Sequence, residues 1–236
     1  MSETQELSSV LENYLNGFHP VVPFRAGEDK LLLMDFTDSN LALELDVLCD
    51  TTRFSSYVSG LLKREGATYG IGGYNEHRTI YKRSDVFDAA DGVEPRRLHL
   101  GIDIWGPAGV PVYAPLPGTV HSFAFNDAFG DYGATLILEH ELEGIIFYTL
   151  YGHLSLHSIE DKQEGETVEK GQWIAAFGEP AENGQWPPHL HFQIIQDLGA
   201  YRGDYPGVCA VSEKEVYLAN CPDPDLVLNM VGFAIK

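Results

Sequence analysis

An α+β, β-rich fold is predicted by three features of the 236-residue sequence. Short apolar or alternating runs recur from about residue 95 onward, Gly, Pro, Asn and Asp punctuate them, and the residues ahead of that point read instead as helices with short strands between them. Many short strands separated by turn signals build a sheet, a sandwich or a barrel. The expected organisation is an antiparallel β-sheet or sandwich domain over residues 95–200. A mixed helix and strand extension over 1–94 precedes it, and a tail over 201–236 packs on the domain.

The elements follow in chain order. Residues 5–17 have Leu7, Val10, Leu11 and Leu15 along one side of a helix. "KLLLMDF" (30–36) and "NLALEL" (40–45) read as short strands. "TTRFSSYVSGLLKRE" (51–65) reads as a second helix, with Asp50 or Thr51 as its cap. A Gly-rich passage, "GATYGIGGYNEH", closes the front region. Strand-like runs come next: "HLGIDIW", "GVPVYAP", "GTVHSFAF", "GATLILEHE", "GIIFYTLYGHL", "QWIAAFGE" and "HLHFQII".

Composition excludes several functions. A hydrophobic content of 44% suits a packed globular chain. No run of about 18 apolar residues is present, so no membrane-spanning helix is expected. The formal charge of −20 argues against nucleic acid and against anionic membrane surfaces as partners. The opening "MSETQELSSVLENYLNGF" has no basic n-region and no unbroken apolar core. The expectation is therefore a cytoplasmic chain as written, or a periplasmic or extracellular one if exported by another route. Cys49, Cys209 and Cys221 form no even framework and no CxxC pair, so free thiols are expected, with a Cys209–Cys221 bridge open if the chain is exported.

The chemistry collects on two strands. Alternate side chains of a strand share a face. In "LHLGIDI", His99, Gly101 and Asp103 fall on one side and Leu98, Leu100, Ile102 and Ile104 on the other. In "HLHFQII", His189, His191 and Gln193 share a face while Leu190, Phe192 and Ile194 pack behind. Both strands are thus expected to present their polar residues on an open side of the sheet. Side by side, they would bring His99, Asp103 and one or both of His189 and His191 to one point. Two imidazoles and a carboxylate suit zinc, with a fourth position left for water. His153, after Gly152 at the end of an apolar strand, is placed to overhang such a site as a general acid or base. A lone histidine is more often a surface or satisfied residue, and His19, His77, His121, His140 and His157 are read that way.

Taken together, "HLGIDI", "YGHLS" and "PPHLHFQI" resemble the HxxxD motif, the isolated histidine and the HxH motif of the lysostaphin-type, or LytM-like, zinc endopeptidases. "GVPVYAPLPGTV", "GATLILEH" and "EGETVEKGQWIAAFGE" are similar to that family's connecting strands and turns. The resemblance covers roughly residues 95–197. It implies zinc ligands at His99, Asp103 and His191, and a catalytic pair at His153 and His189. It further implies an antiparallel sheet whose groove holds the metal, and hydrolysis of a peptide bond in peptidoglycan stem peptides or cross-bridges.

Three other readings stay open. One is a non-catalytic regulatory binding module of the same family. A second is zinc hydrolysis of a cytoplasmic peptide or amide. The third is a biotinyl- or lipoyl-type carrier, suggested by "VYAPLPGTVHSF" and "GETVEKGQWIAAF" but lacking a lysine at a suitable hairpin, Lys170 included. The segment "GGYNEHRTIYKRS" (72–84) could cover one end of the groove, act as an autoinhibitory stretch, or simply pack as structure. Oligomeric state is not legible.

Overall fold

Helix α1 (Glu3–Asn13) sets Leu7 and Leu11 one turn apart, and both are fully buried. They belong to the computed structural model of the protein, which describes residues 3–88 and 92–236. The stretch expected as a strand at 40–45 is instead a turn followed by helix α2 (Leu45–Cys49). Side-chain oxygens compete there for the backbone: Asp35 Oδ1 accepts from the Thr37 amide at 2.9 Å, and Asn40 Oδ1 from the Ala42 amide at 3.2 Å. Leu41 is left 87% exposed, so the alternation that suggested a half-buried strand buries nothing at that residue.

Helix α3 (Thr51–Glu65) forms where expected. The Asp50 carboxylate accepts from the Arg53 amide at 3.0 Å, which satisfies one of the free N–H groups of the first turn. Gly66, at φ 61°, closes the other end in the left-handed conformation that glycine adopts without a Cβ penalty. Phe54, Val58 and Leu62 recur every four residues and are all buried.

Among the described residues, thirteen strands follow the chain: β1 (Leu31–Leu33), β2 (Tyr69–Gly72), β3 (Leu98–His99), β4 (Ile102–Trp105), β5 (Pro111–Tyr113), β6 (Gly118–Asn126), β7 (Gly133–Leu142), β8 (Ile145–Leu154), β9 (Thr167–Val168), β10 (Trp173–Ala176), β11 (His189–Ile195), β12 (Val208–Cys209) and β13 (Ala234–Ile235). Nine of them make one mixed sheet in the order β13-β1-β2-β4-β11-β8-β7-β6-β9. From β2 to β9 every pairing is antiparallel, whereas β1 pairs in parallel with both β2 and β13. The front region therefore supplies strands to the same sheet that carries HLH. β2 pairs directly with β4, Gly72 opposite Asp103.

The alternation within β4 and β11 divides the core. Ile102, Ile104, Leu190, Phe192 and Ile194 face a large apolar cluster that includes Leu7 and Leu11 of α1. Trp105 points the other way, into a second cluster with Phe36, Phe54, Val58 and Trp186. Both faces of the sheet centre are thus covered. Among the described residues no helix is long and apolar enough to cross a membrane.

Candidate metal and catalytic site

The pairing register brings the two motifs together: His191 of β11 lies opposite Asp103 of β4, and on its other side opposite Gly152 of β8. His99 arrives by a different route from the one expected. The run 98–104 is not one strand; it breaks at Leu100 and Gly101, and His99 sits on β3, paired with Val208 of β12. Gly101 permits the break and the approach. A Cβ there would lie 2.5 Å from His191 Cε1 and 2.6 Å from Nε2, so any other residue would drive into the imidazole.

Three candidate ligand atoms meet as a result. His99 Nε2 lies 2.9 Å from His191 Nδ1 and 3.3 Å from Asp103 Oδ1, and His191 Nδ1 lies 3.1 Å from the same oxygen. Among the described residues, His99, Asp103 and His191 form the group of His, Cys, Asp or Glu side chains whose spacing could hold a metal ion. The outer nitrogens fix the tautomers. His99 Nδ1 is 3.0 Å from the Gly73 carbonyl, which only accepts, so Nδ1 carries the proton and Nε2 presents its lone pair. His191 Nε2 is 2.9 Å from Gln193 Oε1, and Gln193 donates its amide N–H groups to the Pro206 carbonyl at 3.2 Å and to Cys221 Sγ at 3.3 Å. His191 then presents the Nδ1 lone pair. Two lone pairs and a carboxylate oxygen converge with no proton between them, and this donor set fits a small cation with imidazole and oxygen preferences.

His153 and His189 flank this point. β8 carries a bulge opposite Ala134 and Leu136, and within it His153 adopts φ 62°, a left-handed conformation uncommon outside glycine. That kink within the strand aims the ring. Its Nδ1 lies 2.8 Å from the Asn183 carbonyl. His189 Nδ1 lies 2.7 Å from the Pro187 carbonyl, and its ring stacks on Trp105 with centroids 3.9 Å apart and planes 14° apart. The two rings stand 4.1 Å from each other. Each Nδ1 is held as a donor to a carbonyl, so each neutral ring keeps a basic Nε2; His189 Nε2 is 4.0 Å from Asp103 Oδ1.

Burial governs protonation. Burial, and then the Arg78 guanidinium, brings His99 down to about 3. Burial brings His189 down to about 4 against the pull of Asp103, and burial together with His189 holds His153 well below its ordinary value. For Asp103, burial alone would raise the carboxyl; His99 and Arg78 outweigh it and hold it well below the carboxylate range. At neutral pH the site therefore holds neutral His99, His153 and His189 and an ionised Asp103.

The expected open side of the sheet is closed. His99, Asp103, His153, His189 and His191 are each at most 6% exposed. Tyr81 and Phe87 from the front region, Tyr132 and Trp186 from the domain, and residues 204–208 from the tail cover that face. They leave a cavity of about 130 Å³ lined also by His153 and His189. The polar face failed to stay open because the 1–94 and 201–236 segments fold over it, a contact at long sequence separation that strand alternation cannot register. Arg78, Tyr132, Asn183 and Trp186 also border this point and are not among the residues expected there from the sequence. Tyr132 packs its ring against Gly152, where a Cβ would lie 2.4 Å from Cδ1, and its hydroxyl is 3.4 Å from His191 Nε2. The remaining histidines behave as read: His140 is buried and satisfied by the Pro117 carbonyl at 2.9 Å and Thr149 Oγ1 at 2.8 Å, while His77 and His157 are exposed. Cys209 and Cys221 are free.

HxxxD, a strained histidine and HxH thus meet at one buried point of a β-rich sheet. Residues 97–202 match the model of Peptidase family M23, and that segment carries motifs like those of its lysostaphin-type, LytM-like members. The chain is 30% identical over 127 residues to a protein of Bacillus subtilis (strain 168) named L-Ala--D-Glu endopeptidase, over 52% of this chain and 37% of that one. It also matches a structure titled a zinc containing peptidase from Vibrio cholerae (31% identity, 46% of this chain, 30% of that chain, TM-score 0.33). A third match is the catalytic domain of lysostaphin from Staphylococcus simulans (21% identity, 67% of this chain, 96% of that domain, TM-score 0.40). The chain spans 37% or less of the length of the curated relatives it matches.

Proposed function

We propose that the chain is a zinc-dependent endopeptidase that hydrolyses a peptide bond in peptidoglycan stem peptides or cross-bridges. Residues 95–200 would be its catalytic domain, with 1–94 and 201–236 packed on it. The observation that carries the reading is the convergence of His99 Nε2, Asp103 Oδ1 and His191 Nδ1 within 3.3 Å of one another, beside two imidazoles whose Nδ1 atoms each meet a carbonyl. The name of the Bacillus relative supports the choice of peptide bond.

In this reading His99, Asp103 and His191 hold the metal. A zinc ion bound there supplies Lewis acidity toward a carbonyl and toward water. The chain's own residues do the rest. His153 and His189, fixed through Nδ1, take a proton from the attacking water at Nε2. The single ring so protonated donates its Nε2–H to the oxyanion that develops, a contact worth roughly 3 kcal/mol, and then passes that proton to the leaving amine. Tyr132, Trp186 and Phe87 exclude bulk water around the reacting groups. The cavity is of the order that admits a benzene-sized group, enough for a peptide unit and a small side chain at the centre of the site.

The test is elemental analysis of the zinc-supplied chain together with turnover on peptidoglycan fragments. About one zinc per chain is expected for the wild type and none for the triple change His99→Ala, Asp103→Ala, His191→Ala. His153→Ala is expected to keep its zinc and lose turnover. A folded wild-type chain that binds no metal when zinc is supplied would sink the proposal.

A further inference from the structure

Arg78 lies outside the segment that matches the family model and is fully buried, yet its guanidinium reaches the centre of the site. Its Nη1 donates to Asp103 Oδ2, and Oδ2 is the carboxylate oxygen that does not face His99 and His191. The rest of the fork is occupied as well. Nε donates to Glu76 Oε2 at 2.7 Å, Nη2 to the Gly72 carbonyl at 3.1 Å, and the guanidinium lies 5.4 Å over the Phe36 ring. Room for it is made by Gly73, at φ 108°, where a Cβ would stand 1.8 Å from Arg78 Nη2. The same short segment holds the neighbouring ligand, since the Gly73 carbonyl accepts from His99 Nδ1 and the Glu76 carbonyl from the His99 amide at 3.0 Å.

We infer that Arg78 is a positioning residue for the Asp103 carboxylate, so that residues 72–78 complete the metal centre rather than occlude it. The inference rests on the metal-centre reading above. A carboxylate free to rotate can offer either oxygen or both. With Oδ2 engaged by a guanidinium that is itself fixed at three other points, Oδ1 alone is presented to the metal position, and Asp103 acts as a single-oxygen ligand. Loss of such an outer partner typically costs about 10- to 100-fold in metal affinity. The direction of approach separates this role from autoinhibition. Arg78 bonds the carboxylate from behind and is absent from the lining of the cavity that His153 and His189 face. A blocking group would have to stand in that cavity.

A lysine in place of Arg78 would keep the charge but lose the planar fork, which must meet Asp103, Glu76 and Gly72 at once. Arg78→Lys therefore tests geometry, and Arg78→Met tests geometry and charge together. Zinc affinity would be measured by competition with a chromophoric chelator, and ligand geometry by the visible absorption of the Co²⁺-loaded chain. Far-UV circular dichroism in chelator would report the fold of each variant. Wild type should bind one metal ion. Arg78→Lys, folded in chelator, should bind at least about tenfold more weakly with an altered Co²⁺ band, and Arg78→Met weaker still. Wild-type affinity and spectrum in Arg78→Lys would overturn the inference, and so would tighter binding, which would mean that the guanidinium opposes the metal. A folded wild type that binds no metal would instead defeat the metal-centre reading itself, which this comparison keeps distinct because it shows in the unsubstituted chain.

Discussion

Replacing Gln193 by leucine tests whether the His191 tautomer is held from outside the site. Gln193 is fully buried, and leucine nearly matches its volume, so the change removes hydrogen bonds more than packing. Three contacts go: His191 Nε2 to Oε1 at 2.9 Å, and the two amide contacts to the Pro206 carbonyl and Cys221 Sγ. A buried N–H left without its acceptor costs about 1–3 kcal/mol. The imidazole can escape that cost by moving its proton to Nδ1, where it occupies the lone pair meant for the metal. Binding must then drive the proton back, at the expense of the same 1–3 kcal/mol less whatever Tyr132, 3.4 Å away, recovers. Setting the net loss near 1.4–2 kcal/mol gives zinc binding weaker by roughly 10- to 30-fold. Chelator competition on the purified chain reads this directly. Gln193→Glu, which keeps an acceptor, should stay within about threefold of wild type. If Gln193→Leu bound zinc as tightly as wild type, the outer hydrogen bond would not be setting the tautomer, and the argument from converging lone pairs would lose its footing.

Two further outcomes concern the scaffold. His140 is held neutral by burial, at about 4, and no candidate ligand touches it. Its folded pKa lies below the unfolded value near 6.5, so the unfolded chain binds more protons between those values and stability falls as pH drops through that window. At pH 5 the loss is about 2 kcal/mol relative to pH 8, so the stability gap between wild type and His140→Gln in urea should narrow by that amount; a gap independent of pH would contradict it. Asp50→Ala removes the α3 cap and should cost about 1 kcal/mol, a fall in melting temperature of roughly 2–4 °C. No measurable fall would mean that the first turn of α3 finds another acceptor.

Local patterns made much of this molecule readable. The cap and four-residue spacing of α3 and the alternation of β4 and β11 are written in neighbouring residues, and so is the sharing of one face by His189, His191 and Gln193. What escaped was set by distance along the chain. Arg78 sits in the 72–84 stretch, which could be read only as a groove cover, an autoinhibitory segment or plain packing, and its partner Asp103 is 25 residues away; the Gly72-Gly73 pair ahead of it was the one local signal that a side chain needs room. The strand β2 was hidden for a related reason. Glycine is depleted in strands, yet Gly70 is required because a Cβ there would meet Met34 Cγ at 2.7 Å. The opposite error, a strand at 40–45, came from an apolar rhythm that Asp35 and Asn40 override by binding the backbone themselves.

The five candidate site residues share one device. Each is gripped at the atom that faces away from the point where they converge: His99 by the Gly73 carbonyl, Asp103 by Arg78, His191 by Gln193, His153 by the Asn183 carbonyl and His189 by the Pro187 carbonyl. The four imidazole partners accept, and the one carboxylate partner donates, so every inward atom is left with a lone pair. Those partners come from the segment after β2, from β11, and from the 183–187 loop. The inward lone pairs are thus set by the fold itself, and the proposed reaction would need little reorganisation. It follows that the front region cannot be regarded as a detachable cover. Removing residues 72–78 would free two of the three candidate ligands at once, whereas a true lid could leave without disturbing any of them.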